Sequence, residues 1–173
     1  MAVKPAVNEA FVGREYAPDE VYEVSREKIR EFAEAVAGAD SGAFVADEQA
    51  ASHGRSAVHT VHTDPEAARA LGYPDVIAPP TFAVIVAQRS DARLVRDPEA
   101  GIDFSRVVHG EQRFTHHRPI VAGDRLVATL HVDSVRAAGG HAMVTTRSEI
   151  TTETGEPVCT AVSTIVVRGE DAQ

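Results

Sequence analysis

At 173 residues, with 43% hydrophobic and 25% charged side chains, the chain has an ordinary globular composition, and we expect one domain over residues 1–173. Its net charge of -9 disfavours nucleic acid or an anionic membrane as a partner, because both require clustered Lys and Arg. No apolar run reaches the roughly 18 residues of a membrane span. The single cysteine excludes an internal disulfide, so we expect a cytoplasmic protein.

The first helical pattern begins after Ser25, whose side chain can cap free backbone N–H groups, and it ends at Gly38. Its apolar residues recur at helical spacing and predict a core-facing stripe. They are Ile29, Phe32, Ala33 and Val36. Residues 39–61 follow as a mixture of Gly, Ser, Ala and His, which predicts a long loop.

Two further helices are predicted before the middle of the chain. Pro65 is typical of a first helical turn, with Thr63 or Asp64 as the cap and Gly72 as the end of the helix. A third helix is predicted over residues 81–94. Its apolar side chains lie nearly all round the first turns, which predicts a buried helix.

The last 65 residues change to a period of two, which is typical of strands with one buried face. The alternating segments are Val107–His117, Arg125–Val135, His141–Thr151 and Val158–Arg168. Glycine-containing turns separate all four segments and predict an antiparallel meander with short hairpin loops. Helices followed by strands predict the α+β class, with a buried helix against a curved sheet. Cys159 lies in the last strand and is interpreted as a buried structural thiol.

Four segments carry a recognisable pattern: VSREKIREFAEAVAG at 24–38, GYPDVIAPPTF at 72–82, SRVVHGEQRF at 105–114 and RPIVAGDRL at 118–126. Together they resemble the MaoC-like (R)-specific hydratase/dehydratase family. The resemblance spans about residues 10–168, except 41–58, and is strongest to the N-terminal-type half and to the acyl-binding subunit of actinobacterial (3R)-hydroxyacyl-carrier-protein dehydratases. It implies the hot-dog fold, in which a long antiparallel sheet wraps around a central helix.

In catalytic members of the family, an Asp and a His share acid–base work on a 2-enoyl or 3-hydroxyacyl thioester. Their motif is Gly-Asp-x-Asn-Pro-x-His. The resemblance places His62 at the catalytic His and suggests Asp40 as the acid, although 22 positions separate the two and residues 41–58 form an insertion. The alternative is that Asp40 is an exposed loop residue and His62 an ordinary histidine near a helix cap.

The start of the predicted central helix departs from the catalytic pattern. Catalytic relatives carry His-Gly there, and the Gly N–H polarises the thioester carbonyl. Here the equivalent residues are Pro79 and Pro80, and proline has no N–H to donate. The resemblance implies that Pro80, Thr81 and Phe82 line the substrate site, with the Thr81 N–H as a substitute donor. The alternative is that the prolines only make a rigid helix start.

His109 and Gly110 lie on the first long strand, where the resemblance implies a substrate tunnel or an interface; a cross-strand core role is the alternative. No metal is predicted, because His59 and His62 are three residues apart but lack a convincing third ligand. No glycine-rich nucleotide loop occurs, so no cofactor is predicted.

Three functions remain open at this point. The favoured one is the acyl-binding subunit of a dehydratase or hydratase, which pairs with a catalytic MaoC-type partner and binds an acyl-CoA or acyl-carrier-protein thioester. The second is a self-sufficient homodimeric hydratase that uses Asp40 and His62. The third is a non-enzymatic module that binds acyl thioesters. A homodimer or heterodimer is expected, because hot-dog sheets have exposed edges.

Overall fold

The computed structural model describes residues 7–37 and 60–169. Its helices are α1 (Arg26–Ala37), α2 (Pro65–Ala70) and α3 (Val84–Arg96), with 3-10 turns at Glu9–Phe11, Pro98–Ala100 and Phe104–Arg106. Its strands are β1 (Glu15–Tyr16), β2 (Tyr22–Glu23), β3 (Val107–His116), β4 (Arg125–Ala138), β5 (His141–Thr152) and β6 (Pro157–Val167). The four long strands and three helices are those that the sequence predicts.

The strands form one antiparallel sheet in the order β1-β4-β5-β6-β3, and β2 also pairs with β4. The predicted meander holds for β4, β5 and β6, which follow one another as hairpins. It is wrong for β3, which pairs with β6 at the far edge of the sheet and not with β4, because the chain after β3 crosses to the other side of the sheet before β4 begins. β3 therefore lies at the edge of the sheet, with β6 as its neighbour within the described chain. An exposed edge of this length is a surface on which another strand can pair.

The central helix α3 packs over β4 and β5, in the middle of the sheet. Alternate residues of β4 face it and are buried, as the period of two predicts. These are Leu126, Ala128, Leu130 and Val132. The opposite face of β4 carries Arg125, Thr129, His131 and Asp133, so the predicted inward and outward faces are both confirmed.

Local capping follows the sequence. The Ser25 hydroxyl accepts a hydrogen bond from the Lys28 N–H at 3.1 Å and so caps α1. Asp64 caps α2 by accepting from the Glu66 and Ala67 N–H groups at 2.8 and 3.4 Å. Of the two predicted caps for α2, the structure therefore has Asp64.

Two predictions about the helices need correction, one about a buried face and one about where a helix begins. Val36 does not join the buried stripe of α1: it is 54% exposed, whereas Ile29 and Ala33 of the same stripe are buried. α3 begins at Val84 rather than at residue 81, because residues 80–83 form turns, and its Val84 is only partly buried.

Asp40, Gly38, His59 and the 41–58 insertion lie outside the described residues. Within residues 7–37 and 60–169, no helix is long and apolar enough to cross a membrane.

Candidate functional site

His62 lies half-buried in the turn before α2. Its ring Nδ1 is 2.6 Å from the carbonyl oxygen of Ile77, and the Ile77 N–H donates to the carbonyl of Val61 at 3.2 Å. A carbonyl oxygen only accepts, so Nδ1 must carry the proton. In the neutral imidazole, Nε2 then holds the lone pair, which is the arrangement that a general base requires.

None of the described residues next to His62 in the sequence supplies the acid that would act with it. Asp64, two residues further on, uses its carboxylate to cap α2. The predicted acid, Asp40, lies outside the described residues, so the pairing of Asp40 with His62 stays a prediction.

The start of α3 is built from turns and proline residues. The Ala78 N–H donates to the carbonyl of Ile120 at 2.8 Å, and the Phe82 N–H donates to the carbonyl of Pro79 at 2.9 Å. Neither Pro79 nor Pro80 has an N–H. These two residues therefore offer carbonyl oxygens, but no backbone donor, at the position where catalytic relatives are expected to polarise a thioester.

The other residues predicted at this end of the site differ in exposure. Pro80 and Thr81 lie at the surface. Phe82 is fully buried, and its ring makes edge contacts with Phe32 at 5.3 Å and Tyr22 at 6.3 Å between centroids. Phe82 therefore anchors the turn before α3 to α1 and β2.

A residue that the sequence interpretation did not select, His116, reaches the start of α3. Its Nε2 donates to the carbonyl oxygen of Pro80 at 2.7 Å, and its ring lies 6.2 Å from that of Phe114. His116 faces the helix, whereas the neighbouring His117 bonds the Thr160 hydroxyl at 3.2 Å. This is the place where the structure brings β3 and the Pro-Pro segment together.

His109 and Gly110 lie elsewhere on β3, roughly 20 Å of strand from His116. The pairing of β3 with β6 has a bulge between His109 and Glu111. A Cβ on Gly110 would lie 3.1 Å from the carbonyl oxygen of Thr164, so this bulge leaves little room for a side chain. The structure thus separates His109 and Gly110 from Pro80 and places them on the exposed edge strand.

Asp91, in the middle of α3, is a second residue that the sequence interpretation missed. Its carboxyl accepts a hydrogen bond from the Thr146 hydroxyl of β5 at 2.8 Å. Burial raises the pKa of Asp91 to about 6, against smaller lowering effects of that hydrogen bond and of His109. Titratable groups with pKa values shifted in this way concentrate at functional sites. The available sequence signal was a pair of polar residues, Ser90 and Asp91, inside a helix predicted to be buried.

Cys159 is buried as predicted, and burial raises the pKa of its thiol to about 11, which leaves it unreactive near neutral pH. Within the described residues, no group of three or more His, Cys, Asp or Glu side chains is arranged to hold a metal ion.

Comparison with known proteins gives the chain a family. A family model described as "FAS1-like, dehydratase domain region" matches residues 52–161. A UPF0336 protein of Saccharopolyspora erythraea is 52% identical over 163 residues, which cover 94% of this chain and 92% of the relative.

Two solved structures are similar in both sequence and fold. One is the C-terminally truncated HadBC (3R-hydroxyacyl-ACP dehydratase) complex of Mycobacterium tuberculosis, with 31% identity, a TM-score of 0.70, and coverage of 90% of this chain and 96% of that one. The other, a MaoC-like dehydratase, has 35% identity and a TM-score of 0.75, and the match covers 94% of this chain but 44% of the other. These structures confirm the predicted hot-dog fold.

Proposed function

Because the chain belongs to the FAS1-like dehydratase-region family and has the fold of MaoC-like dehydratases, we propose that it is the acyl-binding subunit of a (3R)-hydroxyacyl-thioester dehydratase, which in reverse hydrates enoyl thioesters. The observation that carries this proposal is the start of α3. Pro79 and Pro80 keep the helix start but remove the backbone donors that would polarise a thioester carbonyl. Loss of one such donor typically lowers the rate about a hundredfold or more.

A second hot-dog subunit would supply the missing chemistry. In the dehydration, a base on that partner removes the proton from C2 of the 3-hydroxyacyl thioester, and an acid protonates the leaving hydroxyl as water. The C2–C3 double bond forms as these bonds break. The chain described here would hold the acyl chain and fix its position, which lowers the entropic cost of the reaction.

Two findings support pairing with such a partner. The edge strand β3 is ten residues long and largely exposed, and an antiparallel strand of another subunit can extend the sheet there. The similar HadBC structure is a complex, and the similar MaoC-like dehydratase is more than twice as long as its match to this chain.

Co-expression tests the proposal. The chain is expressed with a catalytic hot-dog subunit from the same genome that carries the intact Gly-Asp-x-Asn-Pro-x-His motif. We expect co-purification and dehydration of 3-hydroxyacyl thioesters by the complex, with no turnover by the chain alone. Hydration of crotonyl-CoA by the lone chain at rates typical of enzymes would contradict the proposal. Tight acyl-thioester binding without turnover, even beside the partner, would instead assign a binding module.

One observation favours a second candidate, a self-sufficient homodimeric hydratase. The hydrogen bond from Nδ1 of His62 to Ile77 leaves Nε2 as a base, as catalysis by Asp40 and His62 would require. The test is hydration of crotonyl-CoA by the purified chain and its His62→Ala variant. Measurable activity that the substitution abolishes would favour this candidate.

The proposed compartment is the cytoplasm. The one cysteine of the chain, Cys159, is buried and forms no disulfide. Free thiols of this kind are typical of proteins in a reducing compartment. A free thiol in the protein isolated from its host, and its fractionation with cytoplasmic enzymes, are the expected results.

A further inference from the structure

Polar side chains interrupt the core between α3 and the sheet. One apolar cluster surrounds the first turns of α3, including Phe82 and Val86, and a second surrounds its last turns, including Leu94. The helix and the sheet meet between these clusters through a row of polar residues, which we call the polar belt. The polar belt consists of Ser90, Asp91, His109, Gln112, Thr146, Ser148 and Ser163.

The strand register arranges the belt across the sheet. Thr146 of β5 pairs with Ser163 of β6, and Ser163 pairs with Gln112 of β3, so these three side chains share the face that looks toward α3. Thr146 and Ser163 are buried beside the helix, whereas Gln112 is half-buried. The belt therefore runs from the core below α3 to the open edge of the sheet.

At that edge the orientation of His109 is fixed. The side-chain Nε2 of Gln112 donates to the carbonyl of Val162 at 3.1 Å, which turns its Oε1 toward His109. His109 Nε2 lies 3.2 Å from this oxygen and must donate to it. In the neutral ring, Nδ1 of His109 is then an acceptor, and no hydrogen bond to it is found among the residues that the structure describes. The bulge at Gly110 gives the strand a local twist of the kind that re-aims side chains at functional sites.

Asp91 brings a carboxyl group to the same belt from the helix. Burial of this carboxyl group reduces the stability of the fold, because removing it from water costs free energy that strong hydrogen bonds or an opposite charge must offset. The Thr146 hydroxyl supplies one hydrogen bond from a neutral group. An apolar residue here would join the clusters on either side and stabilise the core. Residues that reduce stability in this way are typical of functional sites.

The belt crosses the helix-facing side of β3. Because α3 packs on β4 and β5, the described residues cover this side of β3 only in part, and we call the surface between β3 and α3 the trough. His116 and His109 are exposed there, and Phe114 and Gln112 are half-buried between them. At one end, His116 contacts Pro80; the belt lies roughly 13 Å along the strand, at Gln112.

We propose that this trough binds a linear acyl chain that carries a hydroxyl group, and that Asp91 and His109 bind this hydroxyl roughly 13–20 Å from the Pro80 end. The inference rests on the proposed function, because it takes the thioester end of the chain to lie at the start of α3. It adds a substrate class: medium-length acyl thioesters with an oxygen far from the thioester.

The chemistry of the belt fits a hydroxyl better than a charged group. A hydroxyl both donates and accepts, so it can donate to Nδ1 of His109 or to an ionised Asp91 and accept from a protonated Asp91. A carboxylate ligand would be repelled by ionised Asp91. The aliphatic parts of the ligand would contact Phe114 and the apolar residues on either side of the belt.

Calorimetric titration of the full chain with dodecanoyl-CoA and its hydroxylated isomers tests the inference. The hydroxyl is placed next to the thioester, at mid-chain or near the terminal carbon. We expect the isomer whose hydroxyl reaches the belt to bind about tenfold more tightly than plain dodecanoyl-CoA, the gain of one well-placed hydrogen bond. Asp91→Leu should remove this preference, so that the hydroxylated isomers and plain dodecanoyl-CoA bind it with equal affinity.

Glu111→Leu is the matched control, because it removes a carboxylate from the opposite face of β3, and it should keep the preference. If Asp91→Leu fails to fold, Thr146→Val and His109→Phe test the same site from the sheet. Equal binding of all isomers, beside tight binding of dodecanoyl-CoA, would overturn this inference and leave the proposed function standing. Failure of every acyl thioester to bind would overturn both, and a preference that survives Asp91→Leu would overturn the role of Asp91.

Discussion

The Nε2–H of His116 donates to the carbonyl oxygen of Pro80 across 2.7 Å and joins the end of β3 to the start of α3. The two residues are 36 positions apart in the sequence. This hydrogen bond lies at the end of the trough where we place the thioester. It also occupies the carbonyl of a residue that has no N–H of its own to offer.

Replacement of His116 by Ala should loosen this end of the trough. The hydrogen bond is exposed, so we expect a loss of only about 0.5–1 kcal/mol in the free energy of unfolding. Acyl-thioester affinity should fall by a few-fold, measured by calorimetry with dodecanoyl-CoA. His116→Gln keeps a donor at a similar reach and should retain both properties. An equal loss of affinity in the two variants would show that the hydrogen bond does not position the trough.

Asp91 should make the protein less stable as the pH rises. The folded state raises its pKa from 3.8 to about 6 and so binds its proton more tightly than the unfolded state does. The contribution of this proton to the free energy of unfolding is complete below pH 3.8 and is lost as the pH rises to about 6. Asp91→Asn does not titrate and should be more stable than the wild type above this range by about 3 kcal/mol.

Urea unfolding at about pH 4.5 and about pH 8 measures this difference, which should be larger at the higher pH. Glu111→Gln is the control, since it changes an exposed carboxylate on the outer face of β3. Its stability relative to the wild type should vary much less between the two conditions. An Asp91→Asn protein that gains nothing at the higher pH would show that the carboxyl is compensated in the folded state.

Strand alternation made most of the fold predictable. Each long strand has one face against α3, so its sequence carries the burial pattern directly, and Leu126 and Val132 fall on the predicted face. Helical periodicity was less complete as a guide. It shows which residues share a stripe but not which of them the tertiary structure covers, and Val36 is exposed.

The candidate site was predictable only where its residues form a local motif. His62 stands out because it precedes a capped, proline-started helix. Asp91 does not, because a polar residue in a helix normally indicates its solvent face, and the register of β5 is needed to place Thr146 beside it. The contact of His116 with Pro80 likewise depends on the tertiary path of the edge strand.

Gly110→Ala should distort the edge strand. Its Cβ would lie 3.1 Å from the carbonyl oxygen of Thr164, a backbone atom of β6 that cannot rotate away. We expect a loss of about 1–2 kcal/mol in the free energy of unfolding, measured by urea titration, and weaker co-purification with the catalytic partner. Thr115→Ala, at an exposed position on the same strand, should change stability by less than about 0.5 kcal/mol. Wild-type stability of Gly110→Ala would mean that the bulge widens at little cost.

Two substitutions of His62 distinguish a structural role of this residue from a catalytic one. Its Nδ1–H satisfies the Ile77 carbonyl, so His62→Ala should cost about 1–2 kcal/mol in the free energy of unfolding. His62→Asn can place an amide N–H where Nδ1 lies, but it has no basic nitrogen to replace Nε2. We expect it to restore stability and, in the complex with the catalytic partner, to leave kcat within a few-fold of the wild type.

That expectation follows from the assignment of acid–base chemistry to the partner subunit. If His62 were the base of this reaction, His62→Asn would keep the fold and still lower kcat by roughly a hundredfold or more, because the proton from C2 would have no acceptor. Urea unfolding and steady-state dehydration, measured on the same preparations, distinguish the two cases. A stable His62→Asn complex that has lost its activity would move the catalytic site into this chain and favour the self-sufficient hydratase.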